Sequence, residues 1–245
     1  MNRRDGYRID RVDVHDALEE ALANALAHAI VMAGDLTEMG FNCEYKNFFD
    51  VLDNQTVTKN LLIATGNHDV RYAYKKNKPI IMNKVEEYLG IDTKGESFYS
   101  YDINGYTFIV MASEKQVFER AYISERQLAF LDGELQKATA EGKPAFVVCH
   151  QPLKKTHGLP EVWKTGDLGD QSQQVRDVLT KYKNVFYING RLKSFPTVFT
   201  ASIFRHTEKR MISASRTEAS AMLLKFMTMK FSSQEETSKR VTTLT

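Results

Sequence analysis

The sequence lacks the features that mark membrane, secreted and disulfide-bonded proteins. Its two cysteines, Cys43 and Cys149, show neither metal-ligand spacing nor a disulfide framework. No apolar run reaches the length of a membrane span, and no apolar segment follows the polar N-terminus to form a signal peptide. We therefore predict no membrane partner. For the chain as given we expect a cytoplasmic location, unless an export signal was lost with an upstream segment.

Signatures of several enzyme and binding classes are missing as well. There is no Gly-x-Ser-x-Gly nucleophile elbow, and neither the P-loop nor the dinucleotide-binding glycine pattern occurs. The formal charge of +2 over 245 residues gives no specific signal for nucleic acid. With 42% hydrophobic and 26% charged residues, the chain has the composition and length of one large α/β domain.

Glycine is absent from the last part of the chain. All 13 glycines lie at or before Gly190, and residues 191–245 also contain no Asp, Asn, Tyr or Trp. This segment holds ten Lys and Arg against four Glu, so it is basic while the rest of the chain is acidic. Because compact α/β domains use glycine in turns, we predict a main domain over residues 1–193. Residues 194–245 are predicted to be an atypical basic tail, either disordered or out of frame.

Buried strands alternate with helices in the main domain, which predicts a parallel α/β sheet. Asn104-Gly105 predicts a hairpin turn, and Ser124 is expected to cap the helix that follows it. No helix or strand is predicted after Lys193. The predicted helices cover 17–26, 43–52, 80–89, 125–138 and 171–181, and the predicted strands cover 29–33, 61–64, 97–102, 107–111, 145–149 and 185–188.

Polar side chains follow three of these strands. Asp35 comes after the first, Asn67, His68 and Asp69 come after the second, and His150 comes after the strand that ends at residue 149. Each of them alone is more typical of a turn or of a buried core histidine. Together they lie at strand ends of the same polarity, where open α/β sheets build sites. A carboxylate, an amide oxygen and an imidazole suit a divalent transition metal, so we predict a shared metal site.

These motifs resemble those of the calcineurin-like metallophosphoesterases. Gly34-Asp35 is similar to the family's Gly-Asp motif, Gly66-Asn67-His68-Asp69 to its Gly-Asn-His-Asp/Glu motif, and His150 to its single histidine at a strand end. Their order and spacing agree over residues 16–190, as does the intervening Phe-Tyr-Ser-Tyr hairpin. The resemblance implies a layered α/β/β/α sandwich, which we expect to be incomplete at both ends of this chain.

The resemblance also implies a phosphoesterase that uses two divalent ions, with Mn, Fe and Zn as the candidates. Asp35 would bridge both ions, and Asn67 and His150 would hold the second one. His68 would act on the leaving-group oxygen as a general acid or charge stabiliser, with Asp69 fixing its ring. The implied reaction is the hydrolysis of a phosphomonoester or phosphodiester by metal-activated water.

Two motifs of the family are altered or missing. At the position of its Gly-His-x-His motif the sequence reads Gly190-Arg191-Leu192-Lys193, and Arg and Lys offer a metal no lone pair at neutral pH. The residues Asp13-Val14-His15 match the family's Asp-x-His motif, but residues 8–12 are too polar for a central strand. We therefore expect a truncated N-terminus, one metal ion or none, and impaired activity.

The tail carries one further sign of the family. The coding sequence can be translated in the shifted frame that joins the third base of each codon to the first two bases of the next. In that frame the segment Phe226–Phe231 is translated as Tyr/His, Asp, a variable residue, Glu, Val/Ile and Phe/Leu. This string resembles the closing strand of the family. It is the basis of the hypothesis that the tail is out of frame.

A second interpretation stays open. A descendant without catalysis would keep the sheet and use its crevice to bind a phosphate-like anion or a partner, with Arg191 and Lys193 holding the anion. If the chain is a hydrolase, its partner is a phosphoester small molecule or a phosphoprotein. The sequence determines neither the substrate nor the oligomeric state.

Overall fold

The computed structural model describes residues 29–54, 58–156 and 166–190, together with the backbone of residues 202–205 and 211–213. Several predicted features lie outside these residues: the helix at 17–26, the Asp13-Val14-His15 sequence, and Arg191 and Lys193. The strands are β1 (Ile30–Ala33), β2 (Leu61–Ala64), β3 (Tyr99–Ile103), β4 (Tyr106–Met111), β5 (Ala145–Cys149), β6 (Val185–Ile188), β7 (Ser202–Arg205) and β8 (Met211–Ser213), and the helices are α1 (Asn42–Asn54), α2 (Asn67–Val70), α3 (Tyr74–Leu89), α4 (Glu125–Thr139) and α5 (Ser172–Leu179).

The strands form two sheets. β1 and β2 are parallel neighbours in the smaller sheet, and the larger sheet has the order β3-β4-β5-β6-β7-β8. In the larger sheet β4, β5 and β6 are parallel, whereas β3 and β7 are antiparallel to their neighbours and β8 pairs with β7. Parallel strands need long crossover connections, and helices supply them here, as the alternating pattern predicts.

Alternate residues of the larger sheet point into two separate cores, because side chains along a strand alternate between its faces. In β4, Phe108 and Val110 pack against the smaller sheet, in one core with apolar residues of α1 and α3. Ile109 and Met111 of the same strand pack with α4 and α5. The layers are therefore helices, sheet, sheet and helices, which confirms the predicted α/β/β/α sandwich.

Most of the predicted helices and strands begin and end within a few residues of the observed ones. Asn104-Gly105 forms the turn between β3 and β4, and the Ser124 hydroxyl caps α4 by accepting a hydrogen bond from the N–H of Gln127. The main difference is α3, which begins at Tyr74 and continues through Pro79 with one backbone donor fewer. Among the described helices, none combines the length and apolar character that a membrane span requires.

The prediction that no strand follows Lys193 is wrong at two places. β7 pairs antiparallel with β6, placing Phe186 opposite Arg205, and β8 pairs with β7. Without β7, one edge of β6 would present open N–H and C=O groups, so a short segment with little strand pattern of its own finds pairing partners there. The predicted domain boundary at 193/194 and the segment Phe226–Phe231 lie outside the described residues, and both remain predictions.

Candidate active site

Three strands end with polar residues that meet in one place. Asp35 lies two residues after β1, Asn67 begins α2 just after β2, and His150 directly follows β5. The N–H of His68 donates a hydrogen bond to Oδ1 of Asp35 at 3.0 Å, and Nε2 of His150 lies 3.2 Å from Oδ2 of the same carboxylate. The structure thus brings Asp35, His68 and His150 together, as the argument from strand ends predicts.

The position of the Asp35 carboxylate depends on an unusual backbone conformation. Asp35 is left-handed with φ of 54°, directly after Gly34 with φ of 86°, and non-glycine residues in this region are concentrated at functional sites. Burial opposes the charge of Asp35. The attraction of His150 and the hydrogen bonds from His150 and His68 outweigh burial, so the pKa of Asp35 is held well below its ordinary value. Asp35 is therefore an anion at neutral pH.

Nε2 of His150 faces this carboxylate, with a proton that it donates in the charged ring and with a lone pair in the neutral ring. Its Nδ1 lies 2.8 Å from the carbonyl oxygen of Ala33, and because a carbonyl only accepts, Nδ1 carries the proton. In the neutral ring Nε2 then has the lone pair, 3.2 Å from an anionic oxygen of Asp35. These two atoms repel each other unless a proton or a metal ion lies between them. Two ligand atoms that each lie about 2.1 Å from one divalent ion are separated by about this distance, so the pair fits a shared ion.

The ring of His68 is held between a carbonyl and a guanidinium. Nδ1 donates to the backbone oxygen of Glu38 at 2.8 Å, and Nη2 of Arg71 donates to Nε2 at 3.1 Å. Since a guanidinium has no acceptor, Nε2 holds a lone pair and not a proton. Two roles are predicted for His68. To act as a general acid through Nε2, His68 must first lose the hydrogen bond from Arg71 and take up a proton on that nitrogen.

The role predicted for Asp69 needs correction. Its Oδ1 accepts hydrogen bonds from the N–H and the hydroxyl of Thr37, and its Oδ2 accepts one from the N–H of Gly66 at 2.7 Å. Asp69 thus ties the loop after β1 to the loop after β2, and it does not fix the ring of His68. The reason is that successive side chains on a helix do not face each other. Burial and the charge of Asp35 raise the pKa of Asp69 to about 7.

Asn67 is fully buried, and a distant loop fixes its amide. Nδ2 donates to the carbonyl oxygen of Phe118 at 2.7 Å, so Oδ1 is the atom that this side chain can offer to a metal. The same carbonyl accepts from Nη2 of Arg71 at 3.2 Å, and Oε1 of Glu119 accepts from that nitrogen at 3.1 Å. The loop after β4 therefore lines the site, which no motif in the sequence indicates.

Sequence reasoning missed Thr37, Arg71 and Phe118. Arg71 lies three positions after His68, and side chains at this spacing share one face of a helix, so a helix predicted from Asn67 onward would have pointed to it. Thr37 and Phe118 lie in loops without a local pattern. Phe118 is 51 positions from Asn67, and only the packing of the loop against α2 brings them together.

The described residues contain few candidate metal ligands. No group of three or more His, Cys, Asp or Glu side chains among them is arranged to hold an ion. Asp35 and His150 form a pair of donors, and the amide oxygen of Asn67 is the third ligand that the sequence predicts. The pair and this amide suit one divalent ion. Arg191 and Lys193, at the position of the family's closing histidines, belong to the part of the chain that the structure does not describe.

The fold has a counterpart among solved structures. A dimetal phosphatase from Danio rerio is similar with a TM-score of 0.55 and 17% sequence identity, over 72% of this chain and 71% of that chain. A purple acid phosphatase from yellow lupin (Lupinus luteus) seeds has a TM-score of 0.45 and 15% identity, over 72% of this chain and 32% of that chain. No protein-family model matches the sequence, and no curated protein sequence does.

At 17% identity the similarity to the Danio rerio protein concerns the fold and not the reaction. It agrees with the four layers described above. The described part of the chain has the fold of a calcineurin-like metallophosphoesterase.

Proposed function

We propose that the chain is a metal-dependent hydrolase of phosphomonoesters or phosphodiesters. The observation that supports this most is the approach of Nε2 of His150 to the Asp35 carboxylate at 3.2 Å, where the ends of β1 and β5 meet. An anionic oxygen and an imidazole lone pair at this separation suit a divalent ion. The fold supports the same reaction class, because the similar Danio rerio protein is a dimetal phosphatase.

Three side chains would hold the ion, through Oδ2 of Asp35, Nε2 of His150 and Oδ1 of Asn67. When bound, such an ion lowers the pKa of a coordinated water and offsets the charge of phosphoryl oxygens. The carbonyl of Ala33 keeps the proton of His150 on Nδ1, which leaves Nε2 ready to bind metal. Arg71 adds a permanent positive charge next to these residues, and this charge attracts the phosphate.

A binding protein without catalysis is the second candidate. It is favoured by the incomplete set of ligands, since the described residues contain no group of three His, Cys, Asp or Glu that could hold an ion. The sequence also has Arg191 and Lys193 where the family has histidines. In that case the guanidinium of Arg71, with these two cations, would hold a phosphate-like anion.

Metal analysis and kinetics on the full chain test the first candidate. After dialysis we expect at most one weakly held divalent ion per chain, and slow manganese-dependent hydrolysis of an aryl phosphodiester or monoester. Asp35→Asn should lower this rate at least about a hundredfold, because metal-assisted chemistry is worth several kcal/mol. Asp50→Asn makes the same chemical change on the exposed side of α1, where Asp50 pairs with Lys46, and should leave the rate unaltered.

The outcomes separate the candidates. A rate that Asp35→Asn leaves unchanged would show that hydrolysis does not use this site. Binding of inorganic phosphate without hydrolysis, in the presence of manganese, iron or zinc, would favour the second candidate. Two tightly held ions per chain would show that the ligand set is more complete than Asp35, Asn67 and His150.

A further inference from the structure

Two aromatic side chains are exposed beside the site. The exposed large apolar side chains among the described residues are those of Phe41, Tyr72 and Phe118. Tyr72 is 51% exposed and Phe118 is 62% exposed, and their rings meet edge to face with centres 6.3 Å apart. Scattered single apolar residues on a surface need no explanation, but neighbouring exposed rings next to a site suggest a binding surface.

Both rings belong to residues that are attached to the candidate site. The carbonyl of Phe118 accepts hydrogen bonds from Nδ2 of Asn67 at 2.7 Å and from Nη2 of Arg71 at 3.2 Å. Tyr72 directly follows Arg71, which in turn donates to His68. The backbone that carries the two rings is therefore fixed next to the side chains that would surround a phosphoryl group.

Arg71 connects the rings to the site, and it has N–H groups that make no hydrogen bond with the described residues. Nη2 makes the hydrogen bonds that Arg71 forms with the described residues, to Nε2 of His68, to the Phe118 carbonyl and to Oε1 of Glu119. Nη1 makes none with that part of the chain, so it is able to bind an anionic oxygen. A phosphoryl group bound at Arg71 would bring the organic part of an ester close to Tyr72 and Phe118.

We propose that Tyr72 and Phe118 form a subsite for a flat aromatic ring in the organic part of the substrate, while Arg71 binds a phosphoryl oxygen. The substrate class is then a phosphoester of a phenol or a nucleoside, since both carry a planar ring close to the phosphate. The position of the phosphoryl group in this proposal rests on the proposed function. Rings are selected over aliphatic groups of equal size because the quadrupoles of aromatic rings attract in edge-to-face and offset arrangements.

Calorimetric binding to the full chain, with and without manganese, tests the subsite independently of turnover. The probes are phenyl phosphate, adenosine monophosphate and cyclohexyl phosphate, which carry the phosphate on an aryl, a nucleoside and an aliphatic ring. We expect the better aromatic probe to bind about fivefold to tenfold more tightly than cyclohexyl phosphate. Whether that probe is the phenyl or the nucleoside ester identifies the source of the ring.

Two matched variants locate the subsite. Phe118→Ala should abolish most of the preference for the aromatic probe, while Phe41→Ala, which removes a phenylalanine that is 56% exposed at the start of α1, should retain it. Phe118→Ala is expected to fold, because the lost side chain is exposed and the carbonyl that binds Asn67 remains. A thermal melt of both variants checks this.

Three results overturn the subsite: equal affinity for the aromatic and aliphatic probes, no binding of any probe, or equal losses in Phe118→Ala and Phe41→Ala. An aromatic preference that disappears in Phe118→Ala supports it. If that preference is found in a chain that hydrolyses none of the esters, the subsite stands and the proposed hydrolase function fails.

Discussion

Gly66 allows the loops after β1 and β2 to approach each other closely at the candidate site. A Cβ at Gly66 would overlap both the backbone nitrogen and Oδ1 of Asp35, and a Cβ at Gly34 would lie 2.6 Å from the nitrogen of Gly66. Backbone atoms cannot move aside as the end of a flexible side chain can. The two glycines therefore determine how close the Asp35 carboxylate lies to the start of α2.

We expect Gly66→Ala to lower the free energy of unfolding by about 1–3 kcal/mol, which is the usual cost of overpacking. The same variant should bind manganese more weakly, because the added methyl group displaces Asp35. Chemical denaturation and a manganese titration measure the two effects.

Gly133→Ala is the matched control for this change. A Cβ at Gly133, inside α4, would meet no atom within 4 Å, so alanine should raise the free energy of unfolding by about 0.5–1 kcal/mol through its better helix propensity. If Gly66→Ala were as stable as Gly133→Ala and bound manganese as tightly as the original chain, the close approach at Gly66 would not matter for the site.

At the scale of single elements, one carboxylate holds the beginning of α4. Glu114 accepts hydrogen bonds from the N–H and hydroxyl of Ser124 at 2.7 and 2.8 Å, and from Nε2 of Gln127 at 2.8 Å. Burial opposes the charge of Glu114, but these bonds and that from Arg126 outweigh burial and lower the pKa of Glu114. Glu114 thus fixes the residue that caps the helix.

We expect Glu114→Gln to reduce the free energy of unfolding by about 1–3 kcal/mol at pH 7, because an amide cannot accept all of these bonds. The pKa of Glu114 is lower in the folded than in the unfolded protein, so its contribution is complete above the unfolded value of about 4.3 and is lost as the pH falls through the folded value. Denaturant unfolding at pH 7 and at pH 3 should show the difference between the two proteins shrinking in acid.

Glu141→Gln controls for the loss of a carboxylate as such. Glu141 pairs with Lys143 at the surface, where an ion pair contributes little, so its replacement should change stability only slightly at either pH. A difference between Glu114→Gln and the original chain that is equal at pH 7 and pH 3 would mean that the charge of Glu114 does not stabilise α4.

At the scale of the whole molecule, a tyrosine hydroxyl joins the two sheets. Tyr99 of β3 donates to the carbonyl of Ile63 at 3.1 Å and accepts from the N–H of the same residue at 2.8 Å. These backbone groups belong to β2 and are fully buried. The hydroxyl therefore satisfies a donor and an acceptor on β2 that would otherwise need a neighbouring strand.

Tyr99→Phe should lower the free energy of unfolding by about 1–3 kcal/mol, because it leaves a buried N–H and a buried C=O without their partner. Tyr101→Phe is the control, since the Tyr101 hydroxyl is half-buried and lies 3.4 Å from Oδ1 of Asn60. Urea denaturation compares them, and equal effects of the two substitutions would refute the view that Tyr99 connects the sheets.

Much of the site could be predicted from the sequence because its residues follow apolar strands directly. Burial and strand polarity bring the ends of β1, β2 and β5 to one place, so Asp35, Asn67, His68 and His150 are recognisable from local patterns alone. The role of Asp69 was not predictable in the same way. Which neighbour a side chain bonds depends on its direction from α2, and Asp69 bonds Thr37.

Local patterns in the chain were sufficient for β1 to β6, most helices and the strand-end motifs, since burial and turn chemistry act over a few neighbouring residues. Three features depended on packing between distant segments. These are the pairing of β7 with β6, the hydrogen bond from Arg71 to the Phe118 carbonyl, and the hydrogen bond from Asn67 to the same carbonyl. The open edge of a strand and a loop carbonyl have no sequence signature, because the geometry that pairs them exists only after the layers have packed.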